Sequence, residues 1–362
     1  MSVEKDEKGY PKANPRVCGF SAITEDMTAS GCTPDADGPK YQGYERSFTQ
    51  ELTGVDVVTG VSSKAKSKSL QEAHRRATLD DQTIDIPLAT SDYYLLEWAK
   101  MIQNPKFRPR QGSLSGKQIK VIQQTQNTFE PRSSEDERLK SKRSFFKRQL
   151  EVLKAIYQED SDKTIGEVMI GDIEALRKKM ETLNSQLLAN DEIYADIEDA
   201  REKVAEKLLT AWGTFVVNNK PSLLTEYELK LEANMSYVDK NYGFGSADKV
   251  LINISAIKQI LYPEKAEAIS IYKAKRLEHA LAWANESKDP SLVLLARKVV
   301  EASKDLEPVA NISEGLSKKL GFLRRIMTYR EVIGSWNALL AMNDQTALSD
   351  LHGLIDCEGT QF

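Results

Sequence analysis

The residues able to do chemistry are few and scattered. His74, His279 and His352 lie far apart, and none stands at the short spacing that presents two ligands to a metal ion. Gly243-Phe-Gly245-Ser-Ala-Asp248 opens like a dinucleotide-binding turn. Asp248 replaces the third glycine, however, and no clear strand precedes it, so a loop and a helix cap are expected there. Gly112-Ser-Leu-Ser-Gly116 has the outer glycines of a nucleophile elbow but places Leu114 where the nucleophile belongs. The sequence has no Gly-Lys-Ser/Thr phosphate loop and no aspartate-rich metal cluster. No catalytic residue, metal ligand or cofactor is assigned, and the chain is not expected to be an enzyme.

Charge is the concentrated signal. Between Lys106 and Arg148 lie twelve basic residues and only four acids, a window of +8 in a chain of net charge −4. The rest of the chain therefore carries −12. Phe107, Phe129, Phe145 and Phe146 interleave with the cations. Positive charge binds backbone phosphates, and aromatic faces stack unpaired bases. Without an RRM, zinc finger or KH loop to read base edges, such binding is expected to tolerate any sequence. Lys64, Lys66 and Lys68 form a smaller patch with no aromatic neighbour and read as solvated loop charge.

A helix must hold most of these cations. From a cap at Ser133 or Ser134 to about Glu159, Leu139, Phe146, Leu150, Leu153 and Tyr157 fall on one narrow arc. Lys140, Arg143, Lys147 and Lys154 form a second stripe rotated by about 70° from it. The expected RNA-binding set is this stripe with Arg138, joined by Lys117 and Lys120 reaching into the same groove.

The fold expected around the groove is mainly α, a multi-helix bundle of two lobes with an irregular N-terminal arm and a few short strands before residue 130. Residues 1–50, rich in Gly and Pro, read as an extended arm. Residues 51–130 are mixed. Short strands are expected at Val55–Val58 and Ile84–Ile86, a helix within 69–78, and another from Ser91-Asp92 to Pro105. The alternation of Ile119, Val121 and Thr125 predicts a strand or β-ribbon running to Phe129. Residues 131–362 form an all-α body. Thr164-x-x-Glu167 is a capping box, and Asn190 divides 172–217 into an antiparallel helical hairpin. Further helices are expected at 222–236, 247–261, 264–286, 291–304, 313–333, 335–343 and 346–356, with Pro263, Pro290 and Pro308 among the breaks.

Cys18, Cys32 and Cys357 are odd in number and match no zinc spacing, so free thiols in a reducing compartment are expected. The charged N-terminus has no apolar core, no run is long enough to span a bilayer, and four Asn-x-Ser sequons are expected to stay unmodified. The expected location is cytoplasm or virion.

A helical body, a basic mid-chain groove and a long N-terminal arm together resemble the nucleoproteins of negative-strand RNA viruses. The resemblance is one of layout and size across the whole chain. It implies two helical lobes clamping single-stranded RNA, terminal arms hooking neighbouring subunits, and self-association along the strand. The alternative is a viral or phage structural or scaffold protein, assembling through the arm and the helical hairpin without RNA.

Overall fold

The computed structural model describes residues 3–14, 17–22, 43–56, 59–62, 66–81, 83, 85–104, 106–110, 116–126, 137–157, 173–246 and 263–361. It is mainly helical. The helices are α1 (Tyr44–Thr53), α2 (Leu70–Asp80), α3 (Thr90–Gln103), α4 (Gly116–Gln126), α5 (Glu137–Tyr157), α6 (Ile173–Asn219), α7 (Glu226–Tyr242), α8 (Pro263–Glu286), α9 (Pro290–Met342) and α10 (Gln345–Glu358). Two antiparallel pairs of two-residue strands accompany them: β1 (Glu4–Lys5) with β2 (Pro11–Lys12), and β3 (Phe20–Ser21) with β4 (Leu88–Ala89).

Two compact units emerge. Unit 1 comprises Met1–Leu187 and Gly315–Phe362, and unit 2 comprises Leu188–Glu314. The core of unit 1 is built on α3, which buries nine of its fourteen residues, including Tyr94 and Trp98. Phe146 of α5 stacks on Tyr329 of α9, with ring centroids 3.9 Å apart and planes 3° from parallel. The Tyr329 hydroxyl donates to Gln149 Oε1, and Gln149 Nε2 donates to the Thr78 carbonyl at 3.2 Å. One amide thus ties α5 to both α9 and α2. A fully buried ion pair, Arg325 with Asp81 at 2.5 Å, holds the end of α2 against α9.

The described part of the N-terminal arm belongs to this core. Tyr10 is buried, stacks on Trp98 at 5.9 Å, and donates its hydroxyl to the Arg108 carbonyl. The Arg110 guanidinium lies 4.8 Å from the Tyr10 ring centroid and 3.3 Å from Asp6. Residues 3–14 and 17–22 are therefore ordered by their own chain, and 23–42 lie outside the described residues.

The thiol expectation is corrected. Cys18 and Cys357 form a disulfide across 339 residues, with Cα atoms 6.0 Å apart. Each partner is also held by other means. Next to β3 the Thr90 amide donates to the Gly19 carbonyl and the Gly19 amide donates to Thr90 Oγ1, while α10 buries Ala347, Leu348, Leu351 and Leu354. Cys32 lies outside the described residues.

Other expectations fail in instructive ways. Residues 116–126 are helix, not strand, because Ile122 rather than Val121 is the buried side chain. Asn190 does not interrupt α6. Its side-chain amide donates to the Val309 carbonyl and to Ser313 Oγ, both at 2.8 Å, and so finds its partners on α9 instead of on its own backbone. Pro308 does not end α9, although it removes one intrahelical donor. Of the expected strands, Val55 makes only an isolated bridge to Ser62, and Ile86 is buried just before β4. Val57, Val58 and Ile84, the Thr164 capping box and the helix expected at 247–261 lie outside the described residues.

Unit 2 packs parts of α6 and α9 with α7 and α8 around Trp212, Leu208, Tyr272, Ala280, Ala284 and Ala296. The small residues allow close approach. A Cβ on Gly213 would lie 1.9 Å from Ser236 Oγ, so the α6–α7 contact requires glycine there. At its centre Glu232 accepts from Arg276 Nε and Nη2 and from the Tyr272 hydroxyl, all at 2.7 Å. This bidentate pair is stable in a dry interior only because every oxygen is matched.

Candidate functional site

The candidate site is a cleft in unit 1 between α2 and α5. Ser69 caps α2 by accepting from the Glu72 amide, and the helix buries Ala73, His74, Ala77 and Thr78. Burial holds the His74 imidazole well below its ordinary pKa, and the charges of Lys142 and Arg75 lower it further. It is neutral and bonds the Tyr44 hydroxyl at 2.8 Å. With that face fixed, Glu72, Arg75, Arg76 and Leu79 turn toward α5.

From α5 come Ser141, Ser144, Phe145 and Arg148, spaced to share one helical face. The cleft between the helices has a volume of about 450 Å³. Its charges are unequal in kind. Arg76 is matched by Glu72 at 2.5 Å and by Glu51 at 3.3 Å. Arg75 and Arg148 have no carboxylate partner among the described residues. The Arg75 guanidinium carbon sits 5.8 Å from the Phe145 ring centroid.

A second cavity of about 300 Å³ adjoins the cleft through Gln71, Arg75 and Ser141, which line both. Its remaining walls are Glu137, Arg138 and Lys142 of α5, Trp336 of α9, and Ile355 and Glu358 of α10. Lys142 is committed here, donating to Asp92 and, at 3.3 Å, to Ser91 Oγ.

The expected binding residues are distributed unevenly around this geometry. Arg138 lines the second cavity and pairs with Asp356 at 3.1 Å. Lys140 pairs with Glu137 at 2.9 Å, one turn away on its own helix. Arg143 and Lys147 are half-buried, already engaged within the chain, and outside the lining of either cavity. Lys154 belongs to α5, but its side chain is outside the described ones. Lys117 and Lys120 are exposed on α4, which packs on α3, whereas α5 packs on α2.

The residues that do line the cleft with α5 were legible in part. Ser141, Ser144, Phe145 and Arg148 lie within the basic window, on a face turned away from the apolar stripe. Arg75 and Arg76 belong to a helix that sequence alone does not connect to it.

Among the described residues, no group of three or more His, Cys, Asp and Glu side chains could hold a metal ion, and no helix is long and apolar enough to cross a membrane. No protein-family model, curated protein or solved structure matches the chain.

Proposed function

We propose that the protein binds single-stranded RNA without reading its sequence, in the α2–α5 cleft, as part of an encapsidating nucleoprotein. One observation carries this reading. Arg75 and Arg148, two guanidiniums without carboxylate partners among the described residues, flank Phe145 in an open cleft with three serine hydroxyls around them. Guanidinium forks suit phosphate, hydroxyls add donors, and an aromatic edge offers a surface to a base. The disulfide fits a particle that meets an oxidising environment better than a chain resident in a reducing cytosol.

Filter binding of a single-stranded oligonucleotide across a salt series tests it. Each phosphate neutralised contributes about −0.7 to the slope of log K against log salt. Arg75→Glu with Arg148→Glu should remove about 1.4 from that slope and weaken binding strongly. The pair Arg143→Glu and Lys147→Glu, chosen from the expected stripe, should do less. Binding that is absent at low salt, or indifferent to salt, sinks the reading.

The structural or scaffold reading has its own support. Twelve of the sixteen exposed large apolar side chains among the described residues belong to unit 2, including Tyr237 and Tyr242. Contiguous apolar exposure marks interaction surfaces, and this reading requires Tyr237 and Tyr242 to belong to one. Sedimentation of wild type and of Tyr237→Lys/Tyr242→Lys discriminates. Concentration-dependent assembly that the double variant abolishes, in a protein that binds no RNA, would favour assembly through protein contacts alone.

A further inference from the structure

We propose that Glu358 gates the α2–α5 cleft by proton uptake: as a carboxylate it opposes a phosphate anion there, and once protonated it admits one. The inference deepens the RNA-binding reading and rests on it.

Glu358 ends α10 and is 1 % exposed, yet it forms part of the wall of the cavity that adjoins the cleft. Charged groups from three helices face it. Arg75 comes from α2, Asp92 from α3, and Glu137, Arg138 and Lys142 from α5, while α9 contributes the uncharged Trp336. Most are matched elsewhere. Lys142 is bound by Asp92, and Arg138 by Asp356 on the same last turn of α10. Glu358 is left with neutral donors only, the Ser91 amide at 2.7 Å and the Ser91 hydroxyl at 2.9 Å. Within the hydrogen-bonded group of Lys142, Asp92, Ser91 and Glu358, one ammonium is therefore set against two buried carboxylates, and ionised Glu358 competes with an anion in the cleft for Arg75, the unmatched cation that lines both cavities.

Burial pushes the Glu358 carboxyl up to about 7; Lys142 opposes that rise and Asp92 adds to it. The switch thus operates near neutrality. Nearby His74 does not contribute, because burial keeps it neutral throughout this range. By linkage, an anion bound in the cleft raises the proton affinity of Glu358, and protonation raises anion affinity by the same factor. Two like charges about 10 Å apart at an effective dielectric of about 20 change affinity on the order of tenfold.

The test uses the full-length oxidised protein and a uridine oligonucleotide without terminal phosphates, whose own second ionisation near pH 6 would confuse the result. Dissociation constants are measured at pH 6 and pH 8 at fixed ionic strength. Wild type should bind about fivefold more tightly at pH 6, because the bound complex is still half protonated at pH 8. Glu358→Gln should bind equally at both, at the wild-type pH 6 strength. The glutamine can keep both Ser91 contacts, accepting from the amide and donating to the hydroxyl. Asp92→Asn, which removes the neighbouring charge, should move the transition to lower pH. Two results overturn the gate: pH-independent binding by wild type, or full pH dependence retained in Glu358→Gln. If binding is pH-independent but lost in Arg148→Glu, the gate alone falls. If wild type does not bind even at pH 6, the cleft reading falls with it.

Discussion

Glu358 also makes a prediction about stability that needs no ligand. Its carboxyl titrates near 4.5 in an unfolded chain and near 7 in the folded one. The folded protein therefore holds this proton more tightly, so the contribution is complete below pH 4.5 and is lost as pH rises through 7. A displacement of about 2.5 units is worth roughly 3 kcal/mol at 1.36 kcal/mol per unit. The sign is opposite to that of Glu72 and Asp289, whose hydrogen bonds hold them below the ordinary carboxylate range and whose contributions fade in acid. Comparison with Glu358→Gln isolates the one group from the others. Urea unfolding, followed by far-ultraviolet circular dichroism from pH 4.5 to 8, should show the two proteins converging at the acid end. At pH 8 the variant should be more stable by up to about 3 kcal/mol. A difference that does not change with pH, or a wild type that gains on the variant as pH rises, would refute the reasoning.

Other outcomes follow from the packing. Phe146→Ala removes a 1 % exposed ring stacked on Tyr329 and should cost about 3–5 kcal/mol in the same urea assay. Glu232→Ala leaves Arg276 buried without its bidentate partner and should cost about 3–5 kcal/mol, whereas replacing the Glu232–Arg276 pair with apolar residues should cost much less. Gly213→Ala should destabilise by about 1–3 kcal/mol, and Ser236→Gly should rescue most of that loss, because the clash is with Ser236 Oγ. Thiol titration of the denatured chain should find one reactive cysteine before reduction and three after it, since two of the three are paired. Cys18→Ser/Cys357→Ser should keep its circular dichroism spectrum but unfold at lower urea, with up to about 5 kcal/mol lost through the freed unfolded chain.

Helical character was legible because it rests on local spacing. The apolar arc of Leu139, Phe146 and Leu150 reads directly as the buried face of α5. What local spacing misjudged were residues whose fate is decided by distant partners. Asn190 and Pro308 look like stops, yet both lie inside long helices, and Asn190 bonds the very turn of α9 that follows Pro308. In 119–125 the period of two that marks strands competes with the period of three shown by Ile119 and Ile122, and packing of α4 on α3 selects the latter. The cleft was half visible. The helix carrying the cations was identified, but the choice between its polar faces depends on where α2 lies, and α2 is packed there by Tyr44, His74 and Gln149. The disulfide was invisible, because nothing in a spacing of 339 residues couples Cys18 to Cys357.

That disulfide also ties the oxidation state to the completeness of the chain. Cys18 is made 339 residues before its partner, Cys357. A chain that stops short of that position therefore lacks the bond whatever its surroundings. The native crosslink also encloses every peptide bond between Cys18 and Cys357, so a single backbone cut anywhere between them leaves one covalent molecule until a reductant is added. Nicked and intact protein should co-migrate in mass under oxidising conditions and separate only on reduction.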